Sequence, residues 1–587
     1  MKIFIFLCQF VFGAVGLAAA AVEVSFPNPG SWKVVQSEVA LEDSRITETT
    51  LRFGSAAPSV RPAFTVTVVR PQRDAQVFWH TDAWYGNLRP AWRDSHSSDV
   101  RCGLPVYAVL TTTERNRLLL ASDNCVRPMD FSCGTDERGN VRAVWKIPAA
   151  AVPSTNDVIR FRIDERDVFW ADAVRAAAAW THQFRPKAHV PADAYAPVYS
   201  SWYAHHTEID AATVVREAEA AAKLGMKVFF LDAGWYMDKP GSFARPAGDW
   251  VPSSVRFPNF RETIRAVKAL GLKLVLWYGL PLVGHDSSAA AKFKGKYMGE
   301  NRGGAYYLDP RIPSVREHLI STLENAVRDW DVDGFKIDYI YAWSPVRPAR
   351  PEEGRDIAEM QEAVVTVTRQ LHDRLTAIRP EVLLEFTHGH HNAAMRPNCT
   401  MYRVGDCAGD VQENRSALAR LRLTNGETSC HSDMLTWGRD DSPEDAARQI
   451  LACLFGTVQY SIPLANARAE HLAVMRHWID FMKRHEHALQ HGDFRPHHPE
   501  ANYPLIEAED VKENVTAVYL SGMVVNVPND GRRRYIVNAT GADEIHVDCA
   551  RAAEAKTFTV TGEPAGTVNL TPGASKVRVP AFGYLAL

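Results

Sequence analysis

Several short apolar runs in this chain end in a carboxylate, and that placement is the first feature that could do chemistry. Leu231-Asp232-Ala233-Gly234-Trp235 closes one such run and Phe335-Lys336-Ile337-Asp338-Tyr339 another. Leu384-Glu385-Phe386 and Tyr402-Arg403-Val404-Gly405-Asp406 close two more, and Leu276-Trp277-Tyr278 ends a further run in an aromatic pair. Two carboxylates on opposite sides of a pocket are the minimum apparatus for cleaving a glycosidic bond. One must be ionised to attack the anomeric carbon, and the other must hold a proton for the departing oxygen. In a strand, Lys336 and Asp338 share a face because they are two residues apart. The ammonium is then placed to keep Asp338 ionised and to donate to a sugar hydroxyl. Asp406 is the candidate proton donor from the opposite side, with Asp410 as its rival.

Each of these residues also has a purely structural reading. Asp338 and Lys336 could form an internal ion pair, Asp232 could cap a helix, and Glu385 could serve the interior. Trp235, Trp250 and Trp277 are placed either to stack on sugar rings or to pack in a core.

The elements that must position these groups follow from the rhythm of the chain. Strand-like runs are expected at 197–204, 227–232, 273–279, 333–339, 382–387, 401–406, 428–433 and 459–464, with helical stretches between them. In 313–330, Val315, Leu319, Leu323, Val327 and Trp330 recur at helical spacing behind Pro313, a residue at home in a first turn. Eight such units predict a (β/α)8 TIM barrel, in which reactive groups sit at the C-terminal ends of the strands. A doubly wound open sheet is the alternative, but no Gly-rich phosphate loop follows any of the strands. Residues 22–190 read as short strands and turns, predicting an N-terminal β-sandwich. The barrel is assigned to 191–490, and 491–587 to a C-terminal antiparallel β domain. The histidines between His491 and His498 are read as polar loop residues rather than metal ligands.

The whole-chain numbers agree with a multidomain globular enzyme: 587 residues, 46% apolar and 23% charged. A net charge of −3 supplies no basic surface for nucleic acid or acidic membranes. Lys2, the apolar run Ile3–Leu17 and the alanines that follow predict a signal peptide over 1–21, hence export to periplasm or medium. No later run approaches the roughly 20 residues of a membrane helix, so no membrane insertion is expected. Cys8 would leave with the signal. The eight remaining cysteines fit no zinc spacing and are expected to be mostly free buried thiols, with one or two disulfides possible in an oxidising compartment. Sequons stand at Asn398, Asn414, Asn514, Asn538 and Asn569.

Taken in order, these segments resemble glycoside hydrolase family 36, in the clan shared with family 27. The resemblance runs from Phe230-Leu231-Asp232-Ala233-Gly234-Trp235 through Gly248-Asp249-Trp250, Phe257-Pro258-Asn259 and Tyr307-Leu308-Asp309-Pro310. It continues through Lys336-Ile337-Asp338 and Arg403-Val404-Gly405-Asp406 to Gln490-His491-Gly492-Asp493-Phe494. The resemblance implies a retaining exo-α-galactosidase with Asp338 as nucleophile and Asp406 as acid/base. Asp232, Lys336 and Arg403 would bind sugar hydroxyls and Trp277 would line the pocket, with no metal or organic cofactor. The implied partner is an α-galactoside oligosaccharide or glycoconjugate, and family members commonly form homo-oligomers. Two departures bear on specificity. Ala233 stands where many relatives carry a second aspartate, and Glu385 matches a family 27 position that disfavours a 2-acetamido group. His431 and Asp433 end the seventh run and are further candidates for the pocket. Related readings are an α-N-acetylgalactosaminidase or other α-hexosidase, a raffinose-synthase-like transferase, and, in a different class, an inactive glycan-binding protein.

Overall fold

The computed structural model describes residues 22–27, 32–42, 45–55, 60–82, 94–151, 156–187, 189–344, 354–387 and 389–587. The segment read as a signal peptide, with Cys8, lies outside these residues. The chain divides into two compact units, one running through Phe184 and one holding Arg185–Leu587 together with Val100–Gly103.

The first unit is built on two antiparallel sheets. One is ordered Glu23–Ser25, Phe64–Pro71, Asn140–Ile147, Met129–Thr135, Asp94–Ser98. The other is ordered Lys33–Leu41, Ile46–Gly54, Asn156–Asp164, Asn116–Ser122, Val106–Leu110, Val77–His80. Alternation decides the packing: Val141, Ala143, Trp145 and Ile147 all turn inward, and they share one apolar cluster with Leu51, Phe53, Phe161 and Ile163 of the other sheet. The expected sandwich also carries a helix, Trp170–His182, that the strand-and-turn reading did not anticipate. Its core is the alanine run 176–179, a strong helix former without a polar face to mark its period. Trp170, Val174 and Ala177 are buried along one side, and Trp170 lies 5.4 Å from Trp79.

In the second unit eight parallel strands follow one another in chain order: Val198–Ser200, Val228–Leu231, Lys273–Gly279, Gly334–Asp338, Leu383–Phe386, Met401–Arg403, Ser429–His431 and Gln459–Tyr460. The last pairs with the first, and single bridges between His431 and Thr457 and between Leu435 and Tyr460 bring the seventh and eighth strands together. Helices Ala211–Lys223, Phe260–Ala269, Pro313–Trp330, Met360–Ile378, Val411–Thr424, Pro443–Ala452 and Ala469–Arg484 form the crossovers and the final segment. The fifth crossover departs from the expected strand–helix alternation. Among its described residues it holds only the one-turn helix Arg396–Asn398, because few residues separate Phe386 from Met401. A small antiparallel sheet of Leu282–Gly284, Ala305–Leu308 and Tyr297–Asn301 follows the third strand.

The interior of the barrel is layered. Val198, Val228, Phe230, Val275, Leu383 and Met401 form an apolar cluster with Ala194, a residue that precedes the first strand. Moving two residues at a time toward the C-terminal strand ends replaces these by Lys336, Glu385 and Arg403, and then by Asp232, Asp338 and Asp433.

The C-terminal sheets, of seven and three strands, have their own core, including Val525, Ile536, Val547 and Leu585. They are antiparallel except for two parallel pairs, Glu513–Val518 with Arg533–Asn538 and Val524–Val527 with Glu544–Cys549. Between barrel and sheets, His487 meets Asp510, His497 meets Glu507 and His498 meets Glu500, so these histidines have carboxylate partners. Cysteines 102 to 549 are all free thiols, six of them buried. Among the described residues no helix is long and apolar enough to cross a membrane.

The loop after the fifth strand grips the segment Val100–Gly103. Asn392 Nδ2 donates to the carbonyls of Val100 and Cys102, and the His390 amide donates to that of Arg101. Gly389 has φ +99°, and a Cβ there would stand 2.4 Å from the Arg101 oxygen, so only glycine fits. His390 is wholly buried with neither ring nitrogen hydrogen-bonded. Burial, reinforced by the charges of His391 and Arg101, pushes its pKa down to about 3. The unfolded chain therefore takes up a proton first as pH falls, and stability drains away between the ordinary histidine range and about pH 3. In His390→Asn, which tolerates the left-handed backbone and does not titrate, urea unfolding should show a shallower acid slope by up to ~1.4 kcal/mol per pH unit. Equal slopes in the two proteins would show that His390 is not the group responsible.

Candidate functional site

At the C-terminal end of the fourth strand, Lys336 and Asp338 both point inward, but they serve different partners. Lys336 Nζ lies 2.7 Å from Asp232 Oδ2, with both side chains only 3% exposed. The expected pairing of Lys336 with Asp338 is thus replaced by one with Asp232, which its long stem reaches across the third strand. Asp232 is held from behind as well. Its amide donates to Ser201 Oγ, and its Oδ1 accepts from the Ala233 amide. No helix begins there, so Asp232 is not a helix cap.

Asp338 receives three hydrogen bonds. Trp277 Nε1 donates to Oδ2 at 3.1 Å, while Thr387 Oγ1 and the Tyr339 amide donate to Oδ1 at 2.9 and 2.7 Å. The third, fourth and fifth strands therefore fix one carboxylate between them. Thr387 had not been singled out, although it stands two residues beyond Glu385 and so shares its inward face.

The sixth and seventh strands supply a second constellation. Arg403, 1% exposed, donates through Nη2 to Asp406 Oδ1 at 2.9 Å and through Nη1 to Asp433 Oδ1. Its Nε lies 3.8 Å from Glu385 Oε1. Burial acts against its charge, but Asp433, Asp406, Glu385 and Asp338 outweigh that and raise its pKa. Asp433 Oδ2 accepts from Tyr203 OH at 3.1 Å and from the Cys407 amide at 2.8 Å. Asp406 presents a side chain 57% exposed to solvent. Its rival Asp410 caps the helix Val411–Thr424 by accepting from the Glu413 amide, so it serves that helix.

Glu385 and His431 lie deeper than expected. Glu385 is wholly buried and accepts from Gln459 Nε2, which also approaches His431 Nδ1 at 3.0 Å. His431 Nε2 faces the Ala194 carbonyl at 2.8 Å, so the hydrogen is on that nitrogen and the ring looks away from the open end. Both residues support the floor beneath Arg403.

The tryptophans divide in the same way. Trp235 is wholly buried, with its Nε1 donating to the Trp277 carbonyl and its ring among Trp250, Phe260, Tyr278 and Trp330. It packs the barrel wall and is not placed to stack on a ligand. Trp277 belongs to an arc of rings, with Phe243 5.5 Å and Tyr339 6.4 Å away and Trp202 5.7 Å beyond Phe243. One side of the open end is therefore aromatic, and the other carries Arg403, Asp406, Asp433 and Tyr203. Among the described residues no three metal-ligating side chains converge at this end of the barrel.

The Arg403–Asp433 pair can be tested through stability. Asp433→Ala leaves a buried guanidinium short of a partner and should cost about 3–5 kcal/mol in urea unfolding. A loss below about 1 kcal/mol would show that the other carboxylates suffice.

Comparison with known proteins bears on the same region. The family model for melibiase matches residues 181–492, which contain all eight barrel strands. α-Galactosidase C of Emericella nidulans is 27% identical over 206 residues, covering 32% of this chain and 26% of that one. α-Galactosidase AgaA of Geobacillus stearothermophilus is 22% identical over 316 residues, covering 50% of this chain and 42% of the relative. The chain thus aligns with less than half the length of these curated relatives. In fold the likeness is longer: a crystal structure of a variant of that AgaA in complex with raffinose superposes with TM-score 0.65 at 14% identity, covering 94% of this chain and 81% of that one. With more than half of its length, including every barrel strand, matched by that family model, the chain belongs to the melibiase family.

Proposed function

We propose that the protein is a retaining exo-glycosidase that hydrolyses terminal α-D-galactosides by double displacement. The observation that carries this reading is the pair of differently held carboxylates at the open end of the barrel, Asp338 locked by three donors and Asp406 exposed beside Arg403. Family membership, the α-galactosidase names of the relatives and the raffinose bound to one structural neighbour support the substrate class.

In this mechanism Asp338 attacks the anomeric carbon from the β-face. The three donors orient its carboxylate for that attack. Asp406 gives a proton to the glycosidic oxygen as the bond breaks, and the sugar is left covalently bound to Asp338. Asp406 then takes a proton from water, which attacks the same carbon and frees both the sugar and Asp338. The transition states are oxocarbenium-like and carry positive charge. Asp232, Asp338, Glu385 and Asp433 stand around Lys336 and Arg403, and this surplus of carboxylates over cations favours positive charge developing between them. Asp232 and Lys336 bind sugar hydroxyls, and Trp277 offers its ring to the C–H face. Glu385 lies under Arg403 and tunes the site from below, so discrimination against a 2-acetamido group falls to other residues.

Nitrophenyl α-galactoside and nitrophenyl α-N-acetylgalactosaminide, assayed side by side, test the assignment. Release from the galactoside should fall at least ~10³-fold in Asp338→Asn with the thermal transition retained. Comparable turnover by the variant would remove Asp338 from the role of nucleophile, and preference for the acetamido sugar would overturn the substrate class.

A further inference from the structure

The aromatic arc does not end at Trp277. Tyr339 takes φ +65°, turning the chain directly after Asp338, and the one-turn helix Ile340–Ala342 follows. That turn lays the ring of Tyr341 against the ring of Tyr339, with centroids 5.5 Å apart and planes inclined by 28°. Tyr339 in turn lies 6.4 Å from Trp277, whose indole nitrogen holds Asp338. A connected series of groups therefore leads outward from Asp338 through Trp277 and Tyr339 to Tyr341. Exposure rises along it, from 3% at Trp277 to 37% at Tyr341.

Tyr341 itself stands past the end of the fourth strand, on the short helix that follows Asp338. Its hydroxyl pKa is raised by burial first and then by the charges of Asp338, Tyr339, Tyr307 and Asp406. Under the reading above, the terminal sugar has its anomeric carbon at Asp338 and its glycosidic oxygen at Asp406. The sugar unit on the far side of that oxygen must then lie outward of the two carboxylates, where the exposed tyrosine stands. A pyranose presents C–H groups on one face, and these match the negative face of an aromatic ring.

We propose that Tyr341 is the platform on which the leaving sugar of an α-galactoside oligosaccharide stacks. This rests on the galactosidase reading and assigns the neighbouring subsite that the reading leaves blank. Stacking there gives the substrate binding energy away from the bond that breaks, which can hold the glycosidic oxygen against Asp406.

Two substrates separate this subsite from the chemistry. α-Galactosyl fluoride has a one-atom leaving group with nothing to stack, and melibiose has a leaving glucose. The ratio of kcat/KM for melibiose to that for the fluoride should fall about tenfold in Tyr341→Ala and stay within about twofold of wild type in Tyr341→Phe. Thermal melting confirms that both variants are folded. An unchanged ratio in Tyr341→Ala, or an equal loss in Tyr341→Phe, would overturn the platform, the latter by assigning the contact to the hydroxyl. Wild-type turnover of the fluoride without turnover of melibiose would overturn the platform but leave the galactosidase reading standing. Turnover of neither would remove that reading and the platform with it.

Discussion

A guanidinium sealed from water must be surrounded by negative charge, and the arrangement of this site depends on meeting that demand. Arg403 is 1% exposed and touches Asp433 and Asp406, with Glu385 at 3.8 Å. Desolvating an ion is expensive, and only well-placed partners compensate for it. Because the guanidinium is a rigid planar fork, holding it also fixes where each partner stands. Asp433, anchored by Tyr203 and the Cys407 backbone, sets one prong, and Asp406 takes the other. The exposed carboxylate is thus positioned by a buried one on the next strand.

The opposite side of the open end is organised by Lys336 and Trp277. Lys336 neutralises Asp232, and Trp277 donates to Asp338. Trp235 holds Trp277 from behind, through a hydrogen bond to its carbonyl and a wall of stacked rings. The wall thus fixes the indole that donates to Asp338 without itself touching that carboxylate. Below both halves, the apolar cluster around Val228 and Met401 gives way to polar residues in steps of two, so a single barrel supplies a dry base and a charged rim.

The strand ends were legible because a parallel barrel strand is buried on both sides and reads as a continuous apolar run, with the first polar residue marking its end. Thus 313–330 was expected as a helix and is observed as Pro313–Trp330. The helix Trp170–His182 was hidden because alanines carry propensity without pattern. The fifth crossover, expected to be helical, was read from the regularity of its neighbours, while its own residues form a loop shaped around Val100–Gly103. At the site, Asp410 stands in the sequence as a rival to the favoured Asp406, and the position of the following helix makes Asp410 a cap.

By itself the sequence determined which residues could reach the open end of the barrel, since strand periodicity and run length are local properties of the chain. It also determined the carboxylate surplus there, since that is a matter of composition at the strand ends. Partners were decided by the tertiary structure alone. Lys336 serves Asp232 rather than its sequence neighbour Asp338, Arg403 binds Asp433 as well as Asp406, and Glu385 sinks beneath the site to join Gln459 and His431. The physical reason is that these contacts join separate strands around a closed barrel. Their lengths depend on strand stagger and side-chain reach, quantities that spacing along one strand does not contain.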